Sequence, residues 1–267
     1  VRSSAASDVY KRQIPDASVD CVLTDPPYAS GGISLRERQQ RTQAKYKMDK
    51  TKKIYPDFFG DAKDQRGWLA WAQLWLAQCW RVARDGAPLL IFSDWRQLPT
   101  MTDAIQAAGW SWLGIMAWDK RSSRPQKGRF RQQCEFVIFA SKGPFSPAHD
   151  HCLPGCFAHC VDRDKLHLTA KPVPLLKELL AVAAPGCTVL DPFMGAGSTG
   201  QACIETGRSF IGMELSRPYY EISRRRLEPL AHHYIMEQEK QPNARHKERG
   251  GIPWKKSRLN AIRAASF

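Results

Sequence analysis

Apolar residues recur along this chain in two rhythms. Short unbroken apolar runs rich in Val, Ile and Leu alternate with longer stretches in which an apolar residue returns every third or fourth position. The first run predicts a strand over Ser18–Thr24, stopped by Pro26-Pro27, because a proline pair cannot continue a ladder. Residues 29–65 are polar without a clean period. A helix is expected over Gln65–Arg84, where Trp68, Ala72, Trp75, Cys79 and Val82 share one face and Asp85-Gly86 ends it. Strand Ala87–Ser93, helix Leu98–Ala108, strand Trp110–Trp118, a basic loop and strand Glu135–Ala140 follow. Residues 141–170 read as irregular. Alternation then resumes as helix Val173–Ala184, strand Cys187–Leu190, a turn over Asp191–Gly197, helix Ser198–Thr206, strand Ser209–Met213 and helix Pro218–Leu230. Beyond Ala231 the chain is polar, basic and aperiodic, and a flexible tail is expected over 231–267. Helices alternating with short buried strands predict an α/β fold with a mostly parallel sheet.

Charge changes the picture next. The 267 residues carry 40 Lys and Arg against 26 Asp and Glu, a net charge of +14. No apolar run approaches the length of about 18 residues that a membrane span needs. Such a balance points to a polyanion, with nucleic acid foremost; the plainer alternative is that the excess only aids solubility. The basic residues cluster in three places. Residues 29–66 hold Arg36, Arg38, Arg41, Lys45 and Lys47; residues 120–131 hold Arg121, Arg124, Lys127, Arg129 and Arg131; the tail holds the third group. Eight cysteines, most of them single within apolar runs, suit a reducing compartment rather than a disulfide framework. His149, His151, Cys152, Cys156, His159, Cys160 and His167 lie close in sequence, but without the Cys-x2-Cys pairs of a zinc site, so no metal is expected.

Two sequences sit at strand ends, where open α/β sheets bind ligands. Asp25-Pro26-Pro27-Tyr28 offers two fixed acceptors, the Asp25 carboxylate and the Pro26 carbonyl, beside an aromatic face. Both N–H donors of an exocyclic amine on a nucleobase would be met there, which draws its nitrogen toward tetrahedral geometry and frees the lone pair to attack. Tyr28 would stack on the base. In Asp191–Thr199, Gly195 and Gly197 permit a tight turn and close backbone approach; Glu214, nineteen residues beyond Gly195, is placed to hold ribose hydroxyls. The turn lacks the Gly-Lys-Ser/Thr of a P-loop.

Taken together, Asp25–Tyr28 and Asp191–Gly197 resemble the S-adenosylmethionine-dependent amino-methyltransferases of DNA, in the beta-type order with the tetrapeptide first. The resemblance covers residues 14–230 and includes Trp118-Asp119-Lys120, Glu135–Ala140 and His167–Pro172. It implies a circularly permuted, Rossmann-like fold with a mostly parallel twisted sheet flanked by helices. S-adenosylmethionine is the implied cofactor, held by Lys171, Pro172, Asp191, Phe193, Gly195, Gly197, Ser198, Thr199 and Glu214. Asp25, Pro26, Pro27 and Tyr28 would be catalytic. Double-stranded DNA would be the partner, contacted by the basic loop 29–66 and the loop at 120–131, with 141–170 as a small target-recognition region. A homodimer and a cognate restriction endonuclease are further assemblies the resemblance raises, in the cytoplasm. Asp rather than Ser before Pro-Pro-Tyr favours adenine N6 as acceptor; cytosine N4, or a DNA-binding relative impaired in catalysis, are the alternatives. Val1–Gln13 lacks the Gly-Asp pair that relatives carry near their start, and is expected to be a truncated or non-native leader.

Overall fold

The computed structural model describes residues 14–29, 63–123, 127–161 and 170–240. A seven-stranded sheet runs in the order β5-β3-β4-β2-β1-β6-β7. Its strands are β1 (Cys21–Thr24), β2 (Pro88–Ser93), β3 (Ser111–Asp119), β4 (Cys134–Ser141), β5 (Cys156–Ala158), β6 (Thr188–Asp191) and β7 (Ser209–Gly212). β4 alone runs against its neighbours; the other pairings, β1 with β2 and β6, β6 with β7, and β3 with β5, are parallel.

Burial on both faces explains the unbroken apolar runs. Val22, Leu89 and Ile91 pack on one side with Trp68, Ala72 and Leu76 of α1 (Gln65–Val82) and with Met101 and Ile105 of α2 (Leu98–Ala107). Cys21, Leu23, Leu90 and Phe92 point to the other side, against α3 (Val173–Leu180), α4 (Ser198–Glu205) and α5 (Arg217–Lys240). Asp64 caps α1 by accepting the Gly67 N–H at 2.7 Å. Among the described residues no helix is long and apolar enough to cross a membrane.

The structure departs from the expected elements in two places. Cys156–Ala158, within the stretch read as irregular, forms β5 along the end of β3. The last helix does not stop at Leu230 but runs to Lys240 through Pro229. Proline forfeits one helical hydrogen bond. Here Leu227, Ala231 and Tyr234 pack into the core on either side of it, and that burial outweighs the loss. The leader 1–13, most of the basic loop 29–66, residues 162–169 and 241–267 lie outside the described residues.

This topology fixes where a site can be. β1 continues to β2 on one side of the sheet, while β6 lies on its other side and continues outward to β7. The carboxyl ends of β1 and β6 therefore flank a switch-point crevice. Because β4 is reversed, its first residues come to the same edge as the last residues of β3.

Candidate active site

Two turns leave the sheet at that crevice, and a hydrogen bond joins them. The Thr24 hydroxyl, at the end of β1, donates to Asp191 Oδ1, at the end of β6, at 2.7 Å. After Thr24 the chain turns through Asp25-Pro26-Pro27-Tyr28. Trp68 on α1 fastens this turn, its indole N–H donating to the Pro27 carbonyl at 2.8 Å. Ala29 follows with φ of 53°, a left-handed conformation that a buried non-glycine residue holds only when its surroundings impose it.

The Asp25 carboxylate is held at both oxygens. Oδ1 accepts the Tyr28 hydroxyl at 2.6 Å, and Oδ2 accepts the Lys171 ammonium at 2.6 Å. Lys171 arrives from the segment before α3 and is buried. It also stands 3.3 Å from Glu135 Oε2 at the start of β4. Glu135 Oε1 takes Lys120, just beyond β3, at 3.1 Å. The rings of Tyr28, Phe92 and Trp118 lie 5.4, 5.0 and 6.0 Å from Lys171 Nζ. Two carboxylates and two ammonium groups thus form one compact, formally neutral network, with the inner cation also facing aromatic rings.

Each ionisation follows from its place in that network. Burial pushes the Asp25 carboxyl above the usual range, ahead of the opposing pull of Lys171. Burial works in the same direction on Glu135, but Lys171 and Lys120 outweigh it and hold that carboxyl low. Lys171 is desolvated, yet Asp25 and Glu135 together keep its ammonium favoured. Burial, followed by the two carboxylates, pushes the Tyr28 phenol well up, so it remains a donor.

The second turn begins at Asp191, buried and pushed up to about 6 by desolvation, against hydrogen bonds from Thr24, Thr199 and the Phe193 N–H. Gly195 and Gly197 have φ of 51° and 79°, a left-handed geometry that makes the tight turn expected of these glycines. Glu214 straddles the turn. One oxygen accepts the Gly195 N–H at 3.0 Å and the other the Ser216 N–H at 2.7 Å. Burial raises this carboxyl as well. Phe193 packs among tryptophans of α1, its ring 5.6 Å from Trp71 and 5.0 Å from Trp75. Ser198 and Thr199 are buried, with Ser198 Oγ accepting from Arg226 at 3.1 Å.

The structure therefore brings Asp25, Tyr28 and Lys171 together, and sets Asp191, Phe193, Gly195, Gly197 and Glu214 around the neighbouring turn. Lys171 lies against Asp25. Of the basic residues assigned to DNA, Arg121, Lys127, Arg129 and Arg131 are exposed on the β3–β4 connection. Arg36, Arg38, Arg41, Lys45, Lys47 and Arg124 lie outside the described residues. Sequence reasoning gave no role to Glu135, placed Lys120 in the basic segment 120–131, and read Trp68 and Trp75 only as the apolar face of a helix, without Trp71. Their spacing at 68, 71 and 75 on one helical face was the available signal. Among the described residues no group of three His, Cys, Asp or Glu gathers as a metal site.

Comparison with known proteins gives a consistent outcome. A family model described as DNA methylase matches residues 19–225. The Escherichia coli (strain K12) protein named "Putative methylase YubD" is 31% identical over 215 residues, covering 80% of this chain and 83% of that one. Among solved structures, the M1.HpyAVI–SAM complex matches with a TM-score of 0.59 and 22% identity, over 83% of this chain and 93% of that one. The cytosine-N4-specific PvuII DNA methyltransferase matches with a TM-score of 0.61 and 14% identity, over 84% of this chain and 88% of that one. Both share the fold.

Proposed function

The chain belongs to the DNA methylase family, and from that premise we propose that it transfers a methyl group from S-adenosylmethionine to adenine N6 in double-stranded DNA. The observation that carries this reading is the Asp25 carboxylate. It is fixed at the switch-point crevice between a phenol and a buried ammonium, beside the glycine turn. A reducing cytoplasm suits eight cysteines present as thiols.

The residues around the second turn fit S-adenosylmethionine. Glu214 already accepts two backbone N–H groups, but a carboxylate has about four acceptor positions and can also take ribose hydroxyls. Phe193 and Trp71 supply flat apolar faces for a purine. Trp75, against the same ring, has a buried indole N–H that finds no hydrogen-bond partner among the described residues, a polar group that a ligand could satisfy. Bound there, the cofactor supplies an electrophilic methyl group on a sulfonium. Replacing Glu214 by Ala is expected to weaken S-adenosylmethionine binding by about 10- to 100-fold, the size of a lost charged hydrogen bond. Calorimetric titration of the folded variant measures this, and an unchanged Kd would remove Glu214 from the cofactor site.

The rest of the chemistry falls to the first turn. The target base leaves the duplex to reach it. Its two N6 hydrogens are accepted by Asp25 and by the Pro26 carbonyl, which orients the nitrogen lone pair outward. Entry of the amine displaces the Tyr28 hydroxyl from Asp25 Oδ1 toward Glu135 Oε2, now 3.4 Å away. Lys171 retains Oδ2 throughout, so the carboxylate does not swing. The proton released from N6 after transfer passes to Asp25 and then to solvent.

Incubating the protein with mixed-sequence DNA and methyl-labelled S-adenosylmethionine, then hydrolysing to nucleosides, tests the assignment. N6-methyladenine is the expected labelled product. N4-methylcytosine would move the acceptor to cytosine, and unlabelled DNA would sink the reading.

A further inference from the structure

Phe130, in the β3–β4 connection, is 94% exposed, more than any other large apolar side chain among the described residues; Leu74 follows at 60%. A lone exposed phenylalanine carries no argument by itself. Two further observations give this one a partner. First, it stands between Arg129 and Arg131, with Lys127 close before it, all exposed. A protein partner with an apolar pocket would gain little from that ring of cations, whereas a polyanion with an apolar interior gains from both. Second, the connection is rooted in the active site. Lys120 at its start and Glu135 just past its end belong to the Asp25–Lys171 network. Asp119 braces the root, its Oδ1 accepting the Arg121 N–H at 2.7 Å and the Gln133 side-chain amide at 2.9 Å. The Lys120 N–H adds a bond to the Gln133 carbonyl at 3.0 Å. The five residues from Glu135 to Phe130 span at most about 17 Å, a few base steps of duplex at about 3.4 Å each.

We infer that Phe130 is a wedge: its ring enters the base stack of duplex DNA where the target base turns out toward Asp25 and Tyr28. Arg129, Arg131 and Lys127 hold the phosphates on either side of the opening. The inference rests on the methyltransferase reading above and adds a residue that lowers the cost of extruding the base. An inserted apolar ring restores part of the stacking that the departed base gives up, and the flanking cations fix the backbone while the step opens.

The test uses the full chain and a short duplex bearing the sequence that the wild-type protein methylates, mapped by sequencing its reaction products. With 2-aminopurine at the target position, fluorescence rises as the base leaves the stack. Phe130→Ala should lower that rise and the rate of duplex methylation by about 10-fold or more, with S-adenosylmethionine affinity unchanged. Phe130→Trp should restore both. On a duplex whose target base faces an abasic site, already poorly held, the loss in Phe130→Ala should shrink to about 3-fold or less. Unchanged fluorescence and rate in Phe130→Ala would overturn the wedge while leaving the methyltransferase intact. An equal loss on both duplexes would overturn it too, because the residue would then serve general binding or folding. A wild-type protein that methylates no DNA would bring down the functional reading, and the wedge with it.

Discussion

Replacing Asp25 by Asn should abolish DNA methylation by at least about 10³-fold, with the fold retained. The change keeps the size of the side chain and one carbonyl acceptor. It removes the charge and puts an amide donor where Asp25 now receives the Tyr28 hydroxyl or the Lys171 ammonium. Against Lys171 the amide would set donor against donor, so its NH2 turns to the Tyr28 side, where the phenol oxygen can accept it and the acceptor at the Oδ1 position is lost. The incoming amine then loses the acceptor that orients it, and the departing proton loses its first destination. Lys171 still has Glu135 at 3.3 Å, so the buried cation is not left alone and the variant should fold. The pH profile of the wild-type enzyme follows from the same group. Asp25 must be ionised to accept from the base, and burial raises its carboxyl above the usual range. Activity should therefore fall on acidification at a higher pH than an ordinary aspartate would set. Single-turnover rates across pH, with thermal melts of the variant alongside, measure both effects. A variant that melts like wild type yet keeps a tenth of its activity would exclude Asp25 as the acceptor.

What could be read in the sequence, and what could not, follows from the range of the interactions. Asp25–Tyr28 and Asp191–Gly197 are local signals, because a proline pair and two closely spaced glycines constrain the backbone wherever they occur. The same locality makes the helical faces of α1 and α3 legible. Glu135 and Lys120 are different. Glu135 reaches Lys171, and brings Lys120 with it, only because β4 runs antiparallel beside β2, and a reversed strand in a mostly parallel sheet leaves no local mark. Lys171 shows the intermediate case. The sequence singled it out, but burial against Asp25 is a contact across 146 positions that only the fold discloses. The extension of α5 beyond Leu230 was hidden for a similar reason, since the stretch from Ala231 reads locally as polar and aperiodic while Ala231 and Tyr234 pack on distant core residues.

Lys171→Met is the sharpest test of the network as a network. Methionine fills a similar volume but leaves Asp25 and Glu135 as two carboxylates without the cation between them. Removing one partner of a buried pair costs about 3–5 kcal/mol; the Asp25 side chain keeps 23% exposure, which places this site toward about 3. Two neighbouring carboxylates that cannot both ionise will share a proton. Glu135 keeps Lys120 at 3.1 Å, so the proton goes to Asp25. A protonated Asp25 becomes a donor toward the base, and methylation near neutral pH should fall by about 100-fold or more. The sign of the pH dependence is fixed. In the variant the folded-state carboxyl of Asp25 lies further above its unfolded value, so the folded state binds a proton that the unfolded state releases. The variant's stability deficit should be smallest at acid pH and grow as pH rises through that raised value. Its activity should move the opposite way, recovering in part at alkaline pH as Asp25 ionises. In the wild type the contribution of Lys171 holds while Asp25 and Glu135 are ionised, so it fades as acid protonates them, and at alkaline pH it is lost as pH rises through the raised value of its ammonium. Thermal melts and rates measured across pH on both proteins separate these trends. A Lys171→Met enzyme with the wild-type pH profile would mean that the lysine only fills space.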